Sequence, residues 1–179
     1  VIETSQLPPG ISLREWNAEE DSLVELTDLL HRSYAGLAEM GLRYVATYQD
    51  EETTARRIAG VECTLALLDN QMVGTVTFRP PGRSRGCPWY DHPDVASFGQ
   101  FCVDPDLRRV GLGSALLDHV EARAAQSGAA EIACDTAEQA THLIEMYEAR
   151  GYRFIEYADW RPMTNFRSVV LSKTLPTAR

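Results

Sequence analysis

In the stretch FCVDPDLRRVGLGSALLDH, residues 101–119, a short apolar run gives way to a turn and two arginines. Gly111 and Gly113 then stand at the start of a helical pattern. A glycine inside a helix costs about 1 kcal/mol relative to alanine, so two in one first turn need a reason. A helix start offers unpaired N–H groups and the positive end of a dipole, which attract an anion by about 0.3–1 kcal/mol per charge. Without a Cβ in the way, phosphate oxygens reach those donors. Arg108, Arg109, Val110, Gly111, Leu112, Gly113 and Ser114 therefore form a candidate anion cradle. Further on, Tyr147 shares a helix face with Ala140, Leu143 and Ile144, which turns it toward the sheet. A tyrosine of pKa about 10 is protonated at neutral pH and can supply a proton; the same placement suits a core aromatic. Asp135 stands at a strand end, a position that suits capping the next helix.

The glycine pair admits three readings. A dinucleotide fingerprint wants a third glycine where Leu116 stands and a tighter strand-to-glycine spacing, although Asp135 does end the next strand. A phosphate loop of the Gly-Lys-Ser/Thr type fails, since Lys173 is the one lysine of the chain. A tight turn whose glycines only let a helix pack closely remains open. The arginines and Ser114 around the glycines favour the anion site.

Cys63, Cys87, Cys102 and Cys134 lie far apart, without a CxxC pair or a histidine at ligand spacing, and read as structural thiols, with no metal expected. His31, His92, His119 and His142 read as surface or packing residues; His142 sits about 140° around the helix from Tyr147.

These residues need elements to hold them. Ile11–Trp16 reads as a strand. Asn17 with Glu20 resembles a capping box opening a helix through Tyr34, with Leu23, Leu26, Leu30 and Tyr34 on one face. Asp50 caps a short helix ending at Gly60, and 62–78 reads as a hairpin about Asp69-Asn70-Gln71. Residues 79–96, dense in Pro and Gly, read as a long loop. Phe98–Val103 is the next strand. The helix from Val110 to Gly128 buries Leu112, Leu116, Val120 and Ala124. Glu131–Asp135 is a short strand. Thr136 to Gln139 reads as a capping box for a helix closed by Gly151, and Tyr152–Trp160 and Ser168–Leu175 are strands about a turn at Arg161–Asn165. The order predicts one α/β (α+β) domain with a mixed sheet over residues 1–179, of which 1–10 is an extended tail.

The totals bound the partners. A net charge of -9, from 26 acidic and 17 basic residues spread evenly over both halves, repels nucleic acid and anionic membranes. No apolar run approaches the ~18 residues that span a bilayer. The opening VIETSQLPPG lacks the basic start and apolar core of a signal peptide, and the absence of Met suggests trimming; the expectation is a cytoplasmic protein.

Arg108-x-x-Gly111-x-Gly113 within VDPDLRRVGLG resembles the pyrophosphate loop of the GNAT superfamily of acyl-CoA-dependent N-acetyltransferases, and MYEARGYR resembles that family's second signature. The likeness is tight over 97–154 and loose over the whole chain. It implies a mostly antiparallel mixed sheet with a splayed central strand pair, flanked by about four helices. It also implies acetyl-CoA as co-substrate, with Phe101, Cys102 and Val103 offering backbone groups to the pantetheine arm and Arg108–Ser114 cradling the pyrophosphate. Tyr147 takes the position of the family's general acid. Two positions depart from the pattern: Ser97, with Gln100 nearby, replaces a glutamate base, and Ala140 replaces an asparagine, which leaves the base unassigned, with Asp135 the leading carboxylate candidate. The resemblance places the acceptor among Tyr34, Tyr44, Tyr48, Gln100, Asp135, Trp160 and Asn165. It implies a small-molecule amine, with a protein amine or an idle CoA-binding module as the other readings, and it allows a homodimer.

Overall fold

The computed structural model describes residues 7–176. Of the expected tail over 1–10, residues 1–6 lie outside the described residues; 7–10 turn into the first strand, with the Ile11 N–H donating to the Pro8 carbonyl at 3.1 Å. The elements in chain order are β1 (Ile11–Glu15), α1 (Leu23–Glu39), α2 (Glu51–Ile58), β2 (Glu62–Leu68), β3 (Gln71–Arg79), β4 (Val95–Val103), α3 (Leu112–Gln126), β5 (Glu131–Ala137), α4 (Thr141–Ala149), β6 (Arg153–Asp159) and β7 (Arg167–Thr174). Among the described residues seven strands join one sheet in the order β1-β2-β3-β4-β5-β7-β6. Only β4 and β5 run parallel; every other pair is antiparallel. The expected mixed, mostly antiparallel sheet with four α-helices is what the chain forms.

Successive side chains of a strand point to opposite faces, and the core divides accordingly. Ile132 and Cys134 of β5 join Leu112, Leu116, Val120 and Tyr147 under α3 and α4. Ala133 faces the other way, among Cys87, Tyr90 and Val170. On that second face α1 buries Leu26, Leu29 and Leu30 against Leu65, Leu67 and Cys102. Glu121 of α3 is buried; it accepts from Lys173 Nζ at 2.7 Å, Tyr152 Oη at 3.1 Å and Arg150 Nη2 at 3.2 Å, tying α3 to the end of α4 and to the last strands.

Local expectations fail where a side chain finds another partner. Asn17 makes a turn, accepting from the Glu19 N–H at 3.0 Å, and the cap of α1 is Ser22, whose Oγ accepts from the Glu25 N–H. α1 also runs on to Glu39, past Tyr34. The capping box at Thr136 is not made: Thr136 lies in β5 with its hydroxyl on Tyr44 Oη at 2.7 Å, and α4 starts at Thr141 behind Ala140. β4 begins at Val95, inside the expected loop.

Candidate active site

β4 and β5 pair at three positions, Val95 with Glu131, Ala96 with Ile132 and Ser97 with Ala133. Beyond Ser97 they separate, and β4 carries a bulge: Thr75 and Thr77 of β3 face Cys102 and Gly99, so two steps on β3 match three on β4. Gln100, at φ 45, takes the strain. The extra residue reverses the strand's alternation. Before it Ala96 and Phe98 face α3; after it Phe101 and Val103 face α3 and Cys102 faces α1. A cavity of about 380 Å³ fills the divergence, walled by Phe101, Cys102 and Val103 of β4, Arg108, Arg109 and Gly113 of the loop, Tyr34 of α1, and Met146 and Tyr147 of α4.

At its mouth lies the glycine loop. Gly111 is the N-cap of α3 at φ 91, a left-handed conformation that favours glycine, with no side-chain cap. A Cβ on Gly111 would meet nothing within 4 Å, and one on Gly113 only Phe101 and Val103 at 3.6 and 3.7 Å. Neither glycine is therefore demanded by packing. Among the described residues, the consecutive N–H groups of residues 109–114 donate to no backbone carbonyl or side chain. The Arg108 side chain is spent elsewhere: its Nη2 donates to the Ser33 carbonyl at 2.8 Å and ties the loop to α1. The donors left for an anion are these backbone groups with the Arg109 side chain and the Ser114 hydroxyl, which make no hydrogen bond among the described residues. Leu112 is wholly buried and contributes its N–H alone, while the Val110 side chain is exposed.

Tyr147 is buried, its ring 5.5 Å from Tyr152 and 6.0 Å from Phe98 between centroids. Burial holds its hydroxyl well above the ordinary tyrosine range, and neighbouring Cys134 and Tyr34 add to the rise. Cys134 is raised the same way, with the Tyr147 hydroxyl working against the rise. Tyr147 is both a core aromatic and a cavity wall. His142 is exposed and stands on the wall of the same cavity.

A second cavity of about 240 Å³ shares Tyr34 and Tyr44 with the first and opens on the α1–α2 side. Asp135 and Trp160 line it, with Arg57, Met163, Thr164 and Phe166. Asp135 does not cap a helix. It accepts from Tyr90 Oη at 2.7 Å and Trp160 Nε1 at 2.9 Å. The 79–96 segment supplies Tyr90, stacked on Trp160 at 6.3 Å, and Gly86, where a Cβ would overlap the same indole. The long loop is thus the outer support of this cavity. Tyr34 donates to the Phe101 carbonyl at 3.2 Å, and burial raises its hydroxyl. Tyr48 and Asn165 line neither cavity; Tyr48 donates to the Met163 carbonyl and Asn165 to that of Gly41, fastening the α1–α2 connection to the β6–β7 turn. Gln100 is buried off both cavities and accepts from Gln49 Nε2 at 3.3 Å. Ser97 hydrogen-bonds the Ser84 hydroxyl and likewise lines neither. Asp135 is the one acidic residue on either wall among the described residues.

Sequence reasoning missed Arg57 and Thr136 as cavity residues. For Arg57 the signal was its spacing: it follows the fully buried Thr54 by three residues, one helical face, although Arg56-Arg57 at a helix end reads first as dipole partners. Among the described residues no cluster of three or more His, Cys, Asp or Glu could hold a metal, and no helix is long and apolar enough to cross a membrane.

Comparison with known proteins places this geometry. The family model described as "Acetyltransferase (GNAT) family" matches residues 23–152. A curated relative, the S-(2-succino)cysteine N-acetyltransferase of Bacillus subtilis (strain 168), is 28% identical over 137 residues, 75% of this chain and 81% of that protein. Among solved structures, the ribosomal-protein-S18-alanine N-acetyltransferase from Escherichia coli superposes with a TM-score of 0.69 at 16% identity, covering 94% of this chain and 96% of its own. A GNAT family acetyltransferase from Elizabethkingia anophelis, solved with acetyl-CoA bound, gives 0.64 at 16% identity over 93% and 99%.

Proposed function

The chain belongs to the GNAT family of acetyltransferases, and from that premise we propose that it moves an acetyl group from acetyl-CoA to the amine of a small molecule. The observation that carries the reading is the divergence of β4 from β5 after Ser97, opening onto six consecutive unpaired N–H groups at the start of α3. The residues fit the donor: a cradle of free amides suits a pyrophosphate, and the gap between the strands suits an extended arm along Phe101, Cys102 and Val103. Bound there, acetyl-CoA supplies a thioester carbonyl open to attack by an amine nitrogen.

The chain's own groups supply the protons and the positions. Tyr147, kept protonated by its burial, gives a proton to the departing sulfur as the C–S bond breaks. Asp135 takes the proton that frees the amine nitrogen to attack, and Tyr90 and Trp160 fix its orientation; the second proton, lost from nitrogen once the C–N bond has formed, restores the Tyr147 hydroxyl. An amine of pKa about 10.4 is almost wholly protonated at pH 7, so this removal is needed. The acceptor enters by the smaller cavity, whose volume of about 240 Å³ suits a small molecule better than a folded protein's tail. The curated relative, acting on S-(2-succino)cysteine, supports the same class. The reading also has the protein working in the cytoplasm.

Thermal unfolding with acetyl-CoA, and in parallel with NAD, NADP and ATP, tests the donor. A ligand at ~100 times its dissociation constant stabilises by about 2.7 kcal/mol. A rise with acetyl-CoA alone is expected, lost in the Gly111→Ala, Gly113→Val double variant. No rise with acetyl-CoA, or an equal one in the variant, would sink the donor site. Free-thiol release with a panel of amines that includes S-(2-succino)cysteine then identifies the acceptor.

A further inference from the structure

Arg57 stands in the smaller cavity without a carboxylate partner. Its Nη1 donates to the side-chain oxygen of Gln49; among the described residues its guanidinium makes no other hydrogen bond and no ion pair. The support beneath it is built. Gln49 is 1% exposed, donates from Nε2 to Thr54 Oγ1 at 2.7 Å, and through its carbonyl accepts from His31 Nε2 at 2.7 Å. One nitrogen of the fork is held, and Arg57 lines the cavity. A second guanidinium, Arg79, lies over Gly99 with no hydrogen bond or ion pair of its own among the described residues.

Burial lowers both arginines, each of which repels protonation most through lost solvation, and Asp135 is the carboxylate whose field opposes this at both. That carboxylate accepts from Tyr90 and Trp160 and forms no ion pair with either arginine among the described residues. Two half-buried guanidiniums therefore stand without an ion pair among the described residues, and Arg57, on the wall of the cavity, favours a further anion there. The free edge of a guanidinium matches a carboxylate with two parallel hydrogen bonds.

We propose that the smaller cavity is a carboxylate-binding subsite, in which Arg57 takes a carboxylate of the acceptor while its amine lies beside Asp135. The proposal rests on the reading of this cavity as the acceptor side, and it narrows the substrate class from amines to amino-carboxylic acids.

The test titrates succinate, neutral succinamide and inorganic phosphate into the protein saturated with CoA, by calorimetry, with the CoA affinity of each protein measured alongside. Succinate should bind the unaltered protein, and succinamide should not. Arg57→Gln should weaken succinate about tenfold to a hundredfold with CoA affinity unchanged. Arg57→Lys, which keeps the charge and a donor for Gln49, should fall between and covers the case in which Arg57→Gln does not fold. Succinate affinity indifferent to both variants, absent altogether, or matched by phosphate would overturn the subsite. A protein that fails to bind CoA would instead overturn the donor reading, so the two failures are told apart.

Discussion

Tyr147 shows how one residue serves two ends. Its ring fills the core against Phe98 and Tyr152, and the residue also borders the larger cavity. Because burial raises its pKa above 10, the acid form persists through the physiological range and beyond. Tyr147→Phe should lower kcat by roughly 10²–10⁴, the usual contribution of a positioned acid, with little change in acetyl-CoA affinity. Turnover in the unaltered enzyme should show no loss traceable to this group below pH 10; a pH–rate profile of both proteins checks it. At this scale Tyr147 and the two glycines were legible because their spacing belongs to a motif. Arg57 was not, since nothing in EETTARRI separates an arginine that faces a cavity from one that faces water, short of knowing what covers Thr54. Gln100 was hidden for another reason: SFGQFCV alternates plausibly, and the bulge that reverses its faces comes from pairing with β3.

The elements were placed more reliably than their ends. Apolar periodicity marked α3 and the strands, whereas caps depend on what else a hydroxyl or carboxylate can reach. Thr136 went to Tyr44, and Asp135 to Tyr90 and Trp160, so neither starts a helix. The 79–96 segment had no legible task, because its partners lie on β5 and at the end of β6, far along the chain. The structure gives it one: Gly86, at φ 113, presses on Trp160. In Gly86→Ala the added Cβ would come within 2.7 Å of the indole's Cη2. Such overpacking costs about 1–3 kcal/mol, and the displaced indole loosens its bond to Asp135. The expected result is a lower Tm and a raised KM for the acceptor, with acetyl-CoA affinity unaltered. A change in acetyl-CoA affinity alone would remove the loop from the acceptor side.

Across the whole molecule the cysteines report on folding. Cys63, Cys87 and Cys102 are buried, and burial pushes the first two up to about 11 and the third to about 12. Unfolded thiols ionise near 8.5, so the folded state holds protons that the unfolded state releases. The contribution of these thiols to stability is complete below about pH 8.5 and is lost as pH rises toward 11–12. Urea unfolding between pH 7 and pH 10.5, under reducing conditions, should show a midpoint falling steadily above pH 9. A flat midpoint would mean that the thiols ionise without unfolding the chain. The fold class was legible at this scale because β-α-α-β-β-β-α-β-α-β-β leaves few ways to form one sheet.

Of the 17 basic residues, 16 are arginines and one is Lys173, bound to Glu121 against the core. Thioesters acylate exposed lysines slowly without any catalyst, and only through the unprotonated amine. Arginine offers no such nucleophile near neutrality, and Lys173 Nζ is held against Glu121 at 2.7 Å. In the proposed reaction with acetyl-CoA, such a surface limits acylation of the protein's own side chains.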